Sequence, residues 1–552
     1  MRTLLSSEKN LNFDGKATPL KTALFLLVCL AWLIPGLTGH TPWKYDEAVS
    51  QGIVHSLVHG HGHWLSPDLA GETYLAHPPL YYWVAAGLVR LLHPLLPPHD
   101  AARLASGLFM ALTMIGIALA AHGLFGARAM RLSVLVLIGS VGLVIRAHEM
   151  SADLAWLCGV IWTLAGIPTG RTRPLLGGLL GGLGFGMAFL SQGTLAFGLL
   201  LPIVLLTPLL VPAYRPARPL YHFLLWILAA LPALLVWPLL LKTWEPGQFT
   251  LWWPVLTRSI LHPQLWIAPD AIPTYYLGAM TWFAWPATPL ALGTLWTGRL
   301  KGLAQPPVRF LLLTLAVMLL VLGFCTTPRE SNALPLLLPL SLLAAGGLDS
   351  LRRGASSALD WFGMLTFGLV TAVLWLGWVA LITGQPAPVV KFLETQLPGY
   401  HAKFHPAVFA LSLALTLLWI VTILRSRPSP RRALVNWTVG MTVSWMLVMS
   451  LWLPYVEASR SYEGMMRSLA RAIPPHSGCM ASSGLGEPQR GLLYYYLDIR
   501  TQRLELGTRT HCGLWLVQSN PRDHFLVPSG WRLIWSGSRS GDHTERFQLF
   551  EY

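Results

Sequence analysis

The chain has 552 residues, of which 54% are hydrophobic and only 11% are charged, and it contains 25 tryptophans. This composition excludes a soluble globular protein and is typical of a polytopic membrane protein. The formal net charge of +15 comes from short basic clusters between apolar segments. Because no basic stripe or recognition motif is present, the sequence predicts no nucleic-acid partner.

About thirteen apolar segments approach the roughly 20 residues that an α-helix needs to cross a bilayer. They lie near residues 22–39, 102–122, 131–147, 154–169, 174–191, 195–213, 220–241, 273–297, 308–324, 333–350, 361–383, 406–424 and 434–453. Basic residues cluster in alternate gaps, at residues 128–131, 171–173, 215–218, 299–309, 352–353 and 425–432. The positive-inside rule places these clusters and the N-terminus in the cytoplasm. The sequence therefore predicts a multi-pass protein of a bacterial inner membrane whose remaining loops face the periplasm.

The first outer loop, residues 40–101, begins with two adjacent carboxylates, Asp46 and Glu47, directly after the first apolar segment. A carboxylate close to an acceptor hydroxyl can act as a general base. Further along, the apolar run 79–97 carries Arg90 and several prolines, and counting it as a span would place every later basic cluster outside. We therefore predict that it lies in the membrane interface and does not cross.

Other charged residues fall on the same predicted side. Asp153 lies between two spans with almost no loop, where an unpaired charge is costly, so it is expected to have a role or a partner. His262, Arg329 and Glu330 lie on later outer loops. A cationic group can hold a phosphate and stabilise its charge as it leaves. The combination of acids and cations fits sugar transfer from a lipid phosphate, although outer-loop acids are also commonly only solvated.

Histidines of the first outer loop raise the question of a metal. His55 and His59 are spaced for one helical face, and the following HGHGH stretch is either part of a metal site or a flexible polar turn. His55 and His59, together with Asp46 and Asp153, are the weak candidates for holding a divalent metal, and the sequence establishes no cofactor.

The composition changes after residue 454, which divides the chain into a transmembrane catalytic domain, residues 1–454, and a small periplasmic α/β domain, residues 455–552. The segments 461–473 and 487–497 are predicted helices. The segments CMASS, GLWLVQ, WRLIWSG and RFQLFEY are predicted strands. Cys479 and Cys512 lie in this polar part and are expected to pair if it faces an oxidising compartment.

Several motifs occur in an order that resembles a known family. They are Asp46-Glu47-Ala48, Trp64–Pro67, His77-Pro78-Pro79-Leu80-Tyr81-Tyr82-Trp83, Ala101–Leu104, Asp153 and the segment Arg329–Pro335. The chain resembles the GT-C glycosyltransferases that use polyprenyl-phosphate sugars, in the branch with the bacterial aminoarabinose lipid A transferases and protein mannosyltransferases. His77 stands where this branch usually has lysine.

The resemblance implies a helical GT-C fold of about thirteen transmembrane helices with Asp46 as the main catalytic carboxylate, and Glu47 beside it is a further candidate. It implies that Asp153 assists, by positioning the acceptor or by holding a metal. The lipid phosphate is then expected near the Pro-Pro motif and Arg329. The candidate substrate- and phosphate-binding residues are His77, Tyr81, Tyr82, Arg103, His262 and Arg329.

The predicted function is transfer of a sugar from a polyprenyl (undecaprenyl) phosphate carrier to a lipid, of the lipid A type, or to another periplasmic acceptor. The predicted partners are the sugar donor, the lipid or glycan acceptor and membrane lipids. A competing function is that of a transporter or flippase of lipid-linked substrates, which would carry ionisable residues near the bilayer midplane and often repeated halves. No repeat is visible here. The sequence is also compatible with a protein O-mannosyltransferase-like enzyme and with an inactive scaffold.

Overall fold

The computed structural model of the protein describes residues 19–60, 62–261, 270–425, 429–475, 478–507, 511–522 and 527–552. Helices dominate the chain up to residue 472. The first twelve are α1 (Pro19–Leu33), α2 (Asp46–Val58), α3 (Leu80–Leu92), α4 (Pro98–Phe125), α5 (Ala127–Ile138), α6 (Val141–Arg146), α7 (Ala152–Gly170), α8 (Pro174–Gln192), α9 (Leu195–Leu210), α10 (Pro219–Leu231), α11 (Trp237–Trp244) and α12 (Pro246–Leu261).

The remaining helices follow in the second half of the chain. They are α13 (Tyr275–Trp282), α14 (Ala287–Leu303), α15 (Pro306–Cys325), α16 (Leu337–Gly347), α17 (Arg353–Thr383), α18 (Ala387–Gln396), α19 (Pro406–Arg425), α20 (Pro430–Leu447), α21 (Leu453–Arg460), α22 (Glu463–Ala472) and α23 (Glu487–Leu497). A 3-10 segment, Ser331–Leu336, precedes α16, and π-helical turns join α10 to α11 and α20 to α21.

Among the described residues, nine helical runs are long and apolar enough to cross a membrane. Each coincides with a span expected from the sequence, which confirms a multi-pass membrane protein. The other four expected spans are shorter or divided: α1 and α9 have 15 and 16 residues, and the segments 131–147 and 273–297 are each interrupted. The α3 helix has only 13 residues, about 20 Å, and is too short to cross.

The two interruptions face each other. The α5–α6 break exposes the backbone N–H groups of Val141 and Gly142, which donate to the carbonyls of Trp285 (2.9 Å) and Phe283 (2.8 Å) in the α13–α14 break. Unpaired backbone groups are costly within a membrane protein, and each break satisfies groups of the other. The contact is close, because a Cβ on Gly142 would lie 2.1 Å from the Phe283 ring. This pairing fixes α6, whose last residue is Arg146.

The two ends of α7 carry opposite charges. The helix has Asp153 in its first turn and ends at Gly170, next to Arg171. At the first of these ends, Asp153 is close enough to Asp46 for its charge to act on the Asp46 carboxylate. A further basic group lies at the start of α20, where Arg431 bonds Asp349 at 2.6 and 2.8 Å.

A short hairpin completes the first outer loop. Strands β1 (Asp68–Leu69) and β2 (Glu72–Thr73) pair antiparallel around Ala70 and Gly71, both of which have positive φ (53° and 92°). Two such residues form the tight turn whose twist suits a hairpin, and glycine adopts that conformation without strain. The Asp68 carboxylate accepts from the Gly71 N–H and from Ser56 Oγ, so the hairpin is fixed to α2.

The C-terminal residues form a five-stranded sheet. Its strands are β3 (Met480–Ser483), β4 (Thr501–Arg503), β5 (Leu514–Ser519), β6 (Arg532–Gly537) and β7 (Arg546–Glu551), in the order β4-β3-β5-β7-β6. Strand β3 is parallel to β4 and β5, and β7 is antiparallel to β5 and β6. The four strands and two helices predicted from the sequence are confirmed, and β4 is an addition. Cys479 and Cys512 form the expected disulfide, with Cα atoms 4.9 Å apart.

The sheet region is docked on the first outer loop. Helix α23 lies against α2 so closely that a Cβ on Gly52 would be 2.7 Å from Gly491 Cα, and a Cβ on Gly491 would be 2.6 Å from the Ala48 carbonyl. Ala48 is part of the same apolar core as Leu492 and Leu514. The helical run Pro430–Ala472 crosses the predicted boundary at residues 454 and 455, so the two predicted domains share both a helix and a core.

Candidate active site

Asp46 is the first residue of α2 and lies at the end of the helix bundle where α7 begins with Asp153. A helix N-terminus favours a carboxylate because its free N–H groups carry partial positive charge. The Asp46 side chain is 34% exposed, and its Oδ2 accepts from Arg146 Nη1 at 3.3 Å. The loop before it is fixed, since Glu457 of α21 accepts from Thr41 Oγ1 (2.6 Å) and from the Trp43 indole (2.8 Å).

The charges around Asp46 come from distant parts of the chain. Burial raises the pKa of Asp46 above its usual value, and the negative charge of Asp153 raises it further. The positive charges of Arg146, His77 and Arg329 oppose this rise. Three of these four neighbours, Asp153, His77 and Arg329, were predicted from the sequence to share a site with Asp46, and the structure brings them together.

Asp153 lies in the first turn of α7, which is capped by Ser151: the Asp153 N–H donates to Ser151 Oγ at 3.2 Å. Its Oδ1 accepts from the Gln192 side-chain amide at 2.7 Å, and its Oδ2 accepts from Ser151 Oγ at 3.3 Å. The residue is 6% exposed. These bonds fix its orientation beside Asp46, as expected for a charge in a loop of almost no length.

Two residues of the site were not predicted as site residues. The Arg146 guanidinium contacts Asp46, Glu149 (3.1 Å) and Glu330 (3.8 Å). Burial raises the pKa of Glu149 to about 7, although the charge of Arg146 opposes the rise. Both residues belong to the RAHEMSAD stretch before α7. The presence of charged residues in so short a connection between apolar segments could have identified them as site residues.

Glu47 and Arg103 have a different role from the one predicted. Glu47 is 2% exposed and Arg103 is fully buried, and Glu47 Oε1 accepts from Arg103 Nε at 2.7 Å. Arg103 also bonds Asp100 and the carbonyls of Leu37 and His40. Burial alone would raise the pKa of Glu47, but Arg103 and His40 outweigh it and hold the pKa below its usual value. The polar atoms of both residues are used inside the fold. The structure therefore does not support the prediction of Arg103 as a phosphate-binding residue or of Glu47 as catalytic.

The HPPLYYW segment divides between the site and the core. His77 is half-buried, and its Nδ1 is a buried atom for which the described residues provide no hydrogen-bond partner. Tyr81 is fully buried and its hydroxyl bonds Ser106 Oγ at 2.8 Å. Tyr82 is 1% exposed and its ring meets Tyr74 edge-on. Because the His77 side chain is partly exposed, it remains accessible to a ligand, whereas the prediction that Tyr81 and Tyr82 contact the substrate is not supported by their burial.

The C-terminal region contacts the residues before Asp46. The Tyr45 hydroxyl donates to Glu487 Oε2, at the start of α23, at 3.0 Å. Lys44 pairs with Glu545. The two residues before Asp46 are thus held by the sheet region. Arg329 is exposed, forms none of the ion pairs found among the described residues and is open to a ligand.

The four candidate metal ligands are not all brought together: Asp46 and Asp153 are neighbours, but the two histidines lie elsewhere. The His55 and His59 rings contact each other at a tilt, with centroids 4.1 Å apart, and His55 Nε2 lies 3.6 Å from Asp498. They belong to the α2–α23 contact and not to the surroundings of Asp46. Within the ranges that the structure describes, no three His, Cys, Asp or Glu side chains are grouped to hold a metal ion. His262 lies outside the described residues.

Comparisons with known proteins find relatives in sequence and in fold. No family model matches the chain. It is 29% identical over 440 residues to an undecaprenyl phosphate-α-4-amino-4-deoxy-L-arabinose arabinosyl transferase of Pseudomonas aeruginosa strain UCBPP-PA14, covering 77% of this chain and 74% of the relative. A protein of the same description from Pseudomonas savastanoi pv. phaseolicola is 26% identical over 439 residues, which is 76% of this chain and 75% of the relative.

Among solved structures, the chain is similar to ArnT from Cupriavidus metallidurans bound to undecaprenyl phosphate. The TM-score is 0.70 at 16% identity, and the match covers 97% of this chain and 98% of the other. The apo structure of the same protein gives a TM-score of 0.67 at 17% identity, over 96% and 97% of the two chains. The expected GT-C fold, with its helical membrane part and its C-terminal sheet, is confirmed.

Proposed function

We propose that this chain, a membrane glycosyltransferase with the GT-C fold, transfers a sugar from undecaprenyl phosphate to a lipid acceptor of the lipid A type. The observation that carries the proposal is the meeting of Asp46, Asp153, His77, Arg146 and Arg329 at one end of the bundle. The curated relatives are named for the transfer of 4-amino-4-deoxy-L-arabinose. We therefore assign an aminopentose of this kind as the donor sugar.

In this function Asp46 is the general base. Its raised pKa makes it a better proton acceptor than an ordinary aspartate. It takes the proton from the acceptor hydroxyl as the acceptor oxygen forms a bond to the sugar C1. The bond from C1 to the phosphate oxygen breaks, and undecaprenyl phosphate leaves with the bonding electron pair. Asp153, fixed by Gln192 and Ser151, positions the acceptor and keeps the Asp46 pKa high.

The leaving phosphate requires cations near its oxygens, where negative charge develops. His77 has a buried ring nitrogen with no partner in the described part of the chain, and Arg329 is exposed without an ion pair there. Both are close enough for their charges to act on Asp46. A cation placed where negative charge develops lowers the barrier of transfer. We assign the lipid phosphate to the space between these two residues. No step is assigned to a metal.

The proposal includes an orientation. With the basic span ends in the cytoplasm, Asp46 and the C-terminal sheet face the periplasm. Residues 1–454 then form the catalytic membrane domain, and residues 455–552 form the periplasmic domain. Single cysteines at Ser66, Gly541 and Ser429 test this: an impermeant reagent added outside should label the first two and not the third. Labelling of Ser429→Cys alone would invert the orientation.

The decisive experiment is direct transfer. Purified protein in lipid vesicles is supplied with undecaprenyl phosphate-α-4-amino-4-deoxy-L-arabinose and lipid A. We expect lipid A to gain the mass of one aminopentose and free undecaprenyl phosphate to appear in equal amount. Movement of the donor across the vesicle membrane without any product would instead favour a flippase. Modification of a supplied protein acceptor but not of lipid A would favour a protein O-mannosyltransferase-like enzyme.

A further inference from the structure

Arg146 is shared by three carboxylates but uses few of its donors. Its Nη1 lies 3.3 Å from Asp46 and 3.1 Å from Glu149, and its Nη2 lies 3.8 Å from Glu330, beyond hydrogen-bond distance. A guanidinium has five N–H groups. The side chain is 31% exposed, so a ligand that lies beside Asp46 can reach it. Arg146 therefore has donors to spare where a ligand would lie beside Asp46.

We propose that Arg146 is a third phosphate-binding residue, which exchanges its contact with Asp46 for a contact with the lipid phosphate. This inference rests on the proposed function. Arg103, a second arginine near the start of α2, is fully buried and bonded to Glu47 and Asp100. Arg146, in contrast, is partly exposed, and its charge, like that of Arg329, acts on Asp46. The planar guanidinium fork matches phosphate oxygens in two-point contacts.

A contact between Arg146 and the phosphate would favour the transfer reaction. In the donor, the phosphate is a diester with one negative charge. When the C1–O bond breaks, it becomes a monoester, which carries a charge of about −1.5 to −2 near neutral pH. A cation in contact with it therefore stabilises the leaving phosphate more than the bound donor, which is the condition for catalysis. As Arg146 turns from Asp46, it also stops lowering the pKa of Asp46, which becomes a stronger base.

The structure allows this exchange with little movement. Glu149 and Glu330 remain as partners when the contact with Asp46 is given up. The backbone of α6 is held by the bonds of Val141 and Gly142 to the α13–α14 break. Only the side chain of Arg146 has to rotate, and its carboxylate neighbours keep it close to the site in both positions.

The test is a pair of binding measurements on the full-length protein in lipid nanodiscs. Undecaprenyl phosphate is the first probe, and undecaprenol, which has the same chain but no phosphate, is the second. We expect Arg146→Gln to weaken binding of undecaprenyl phosphate by about tenfold, the size of one charge-assisted contact, and to leave undecaprenol binding unchanged. Arg146→Lys should recover part of the loss. Arg467→Gln, at an exposed arginine of α22, is the matched control.

Each remaining outcome decides against the inference. Equal binding of undecaprenyl phosphate by the wild type and Arg146→Gln overturns it while leaving the proposed function intact. Equal weakening of both probes, or the same loss in Arg146→Lys as in Arg146→Gln, shows a structural role and also overturns it. If the wild type itself does not prefer undecaprenyl phosphate to undecaprenol, the proposed function fails, and the inference fails with it.

Discussion

Arg103 Nε lies 2.7 Å from Glu47 Oε1, and the two side chains form a buried ion pair. Asp46, the residue directly before Glu47, is partly exposed. Adjacent residues of a helix point about 100° apart, so one carboxylate faces the core and the other faces the site. The pair fixes the first turn of α2 and with it the direction of Asp46. We therefore propose that the two acids of one motif have separate roles, Glu47 in folding and Asp46 in chemistry.

Replacement of Asp46 tests the chemical role. Asp46→Asn should abolish sugar transfer, because the amide has nearly the same shape but cannot take a proton. The folded protein should be retained, since the Asp46 side chain makes one described hydrogen bond, at 3.3 Å to Arg146. Product formation and thermal unfolding are measured on the same preparation. Wild-type turnover by a folded Asp46→Asn protein would remove Asp46 from the mechanism.

Replacement of Glu47 tests the structural role. Glu47→Leu leaves the Arg103 charge buried with one partner fewer, and breaking a buried pair in this way typically costs about 3–5 kcal/mol. We expect a large fall in the thermal unfolding midpoint in detergent. The double variant Glu47→Leu/Arg103→Met should lose less than the sum of the two single variants, because the residues are in direct contact. Strict additivity would show that the two side chains do not stabilise each other.

Much of the architecture could be predicted because it depends on local composition. Long apolar runs identify nine full-length spans, and short segments between turn residues identify strands β3, β5, β6 and β7. Strand β4, of three residues, is too short for such a pattern. The division of the segments 131–147 and 273–297 could not be predicted, because each break is stable only when the other satisfies its backbone groups.

The candidate site could be predicted for those charged residues whose position relative to the apolar spans already indicates a role. Asp46 follows the first span and Asp153 lies between two spans, and a charge at either position requires a reason. The sequence could not show that Arg103 is buried against Glu47, because that depends on how α2 and α4 pack. Nor could it show that Arg146, at the end of an apolar run, is directed toward Asp46, since the break after α5 sets the direction of α6.

The pH dependence of transfer should report on Asp46 and its neighbour. Burial and the charge of Asp153 raise the pKa of Asp46, and the base must be unprotonated to act. The rate of transfer should therefore fall as the pH is lowered. The fall should begin at a higher pH than it would if the base were an aspartate with an ordinary pKa. Asp153→Asn removes one cause of the rise, so the acid side of the pH–rate profile should shift to lower pH. A shift in the opposite direction would contradict the assignment of Asp46 as the base.

The disulfide Cys479–Cys512 should stabilise the C-terminal sheet, since it joins the residue before β3 to the segment before β5. It closes a loop with a sequence separation of 33 residues, for which the chain-entropy model gives about 3–4 kcal/mol. We expect Cys479→Ser to lower the unfolding midpoint of the sheet region, and the reductant sensitivity of the wild type to disappear in the variant. Identical unfolding of the reduced and oxidised wild type would show that the bond contributes nothing to stability.

The last prediction concerns His77, whose Nδ1 is buried without a partner in the described part of the chain and whose charge acts on Asp46. If the imidazolium holds the lipid phosphate, it must be protonated to do so, and histidine is the side chain whose charge ordinarily changes between about pH 5 and 8. Affinity for undecaprenyl phosphate should therefore weaken as the pH rises through neutrality. Lysine stays charged over this range, so His77→Lys should remove the weakening without destroying transfer, whereas His77→Gln should remove it at low affinity. Binding is measured across this pH range for the three proteins, with undecaprenol as the uncharged control.

The phosphate monoester itself gains charge near pH 6, which strengthens its attraction to a fixed cation as the pH rises. A weakening of binding that is confined to the wild type is therefore the signature of His77. Identical profiles for the wild type and both variants would leave His77 a packing residue beside Pro78 and assign the phosphate to Arg329.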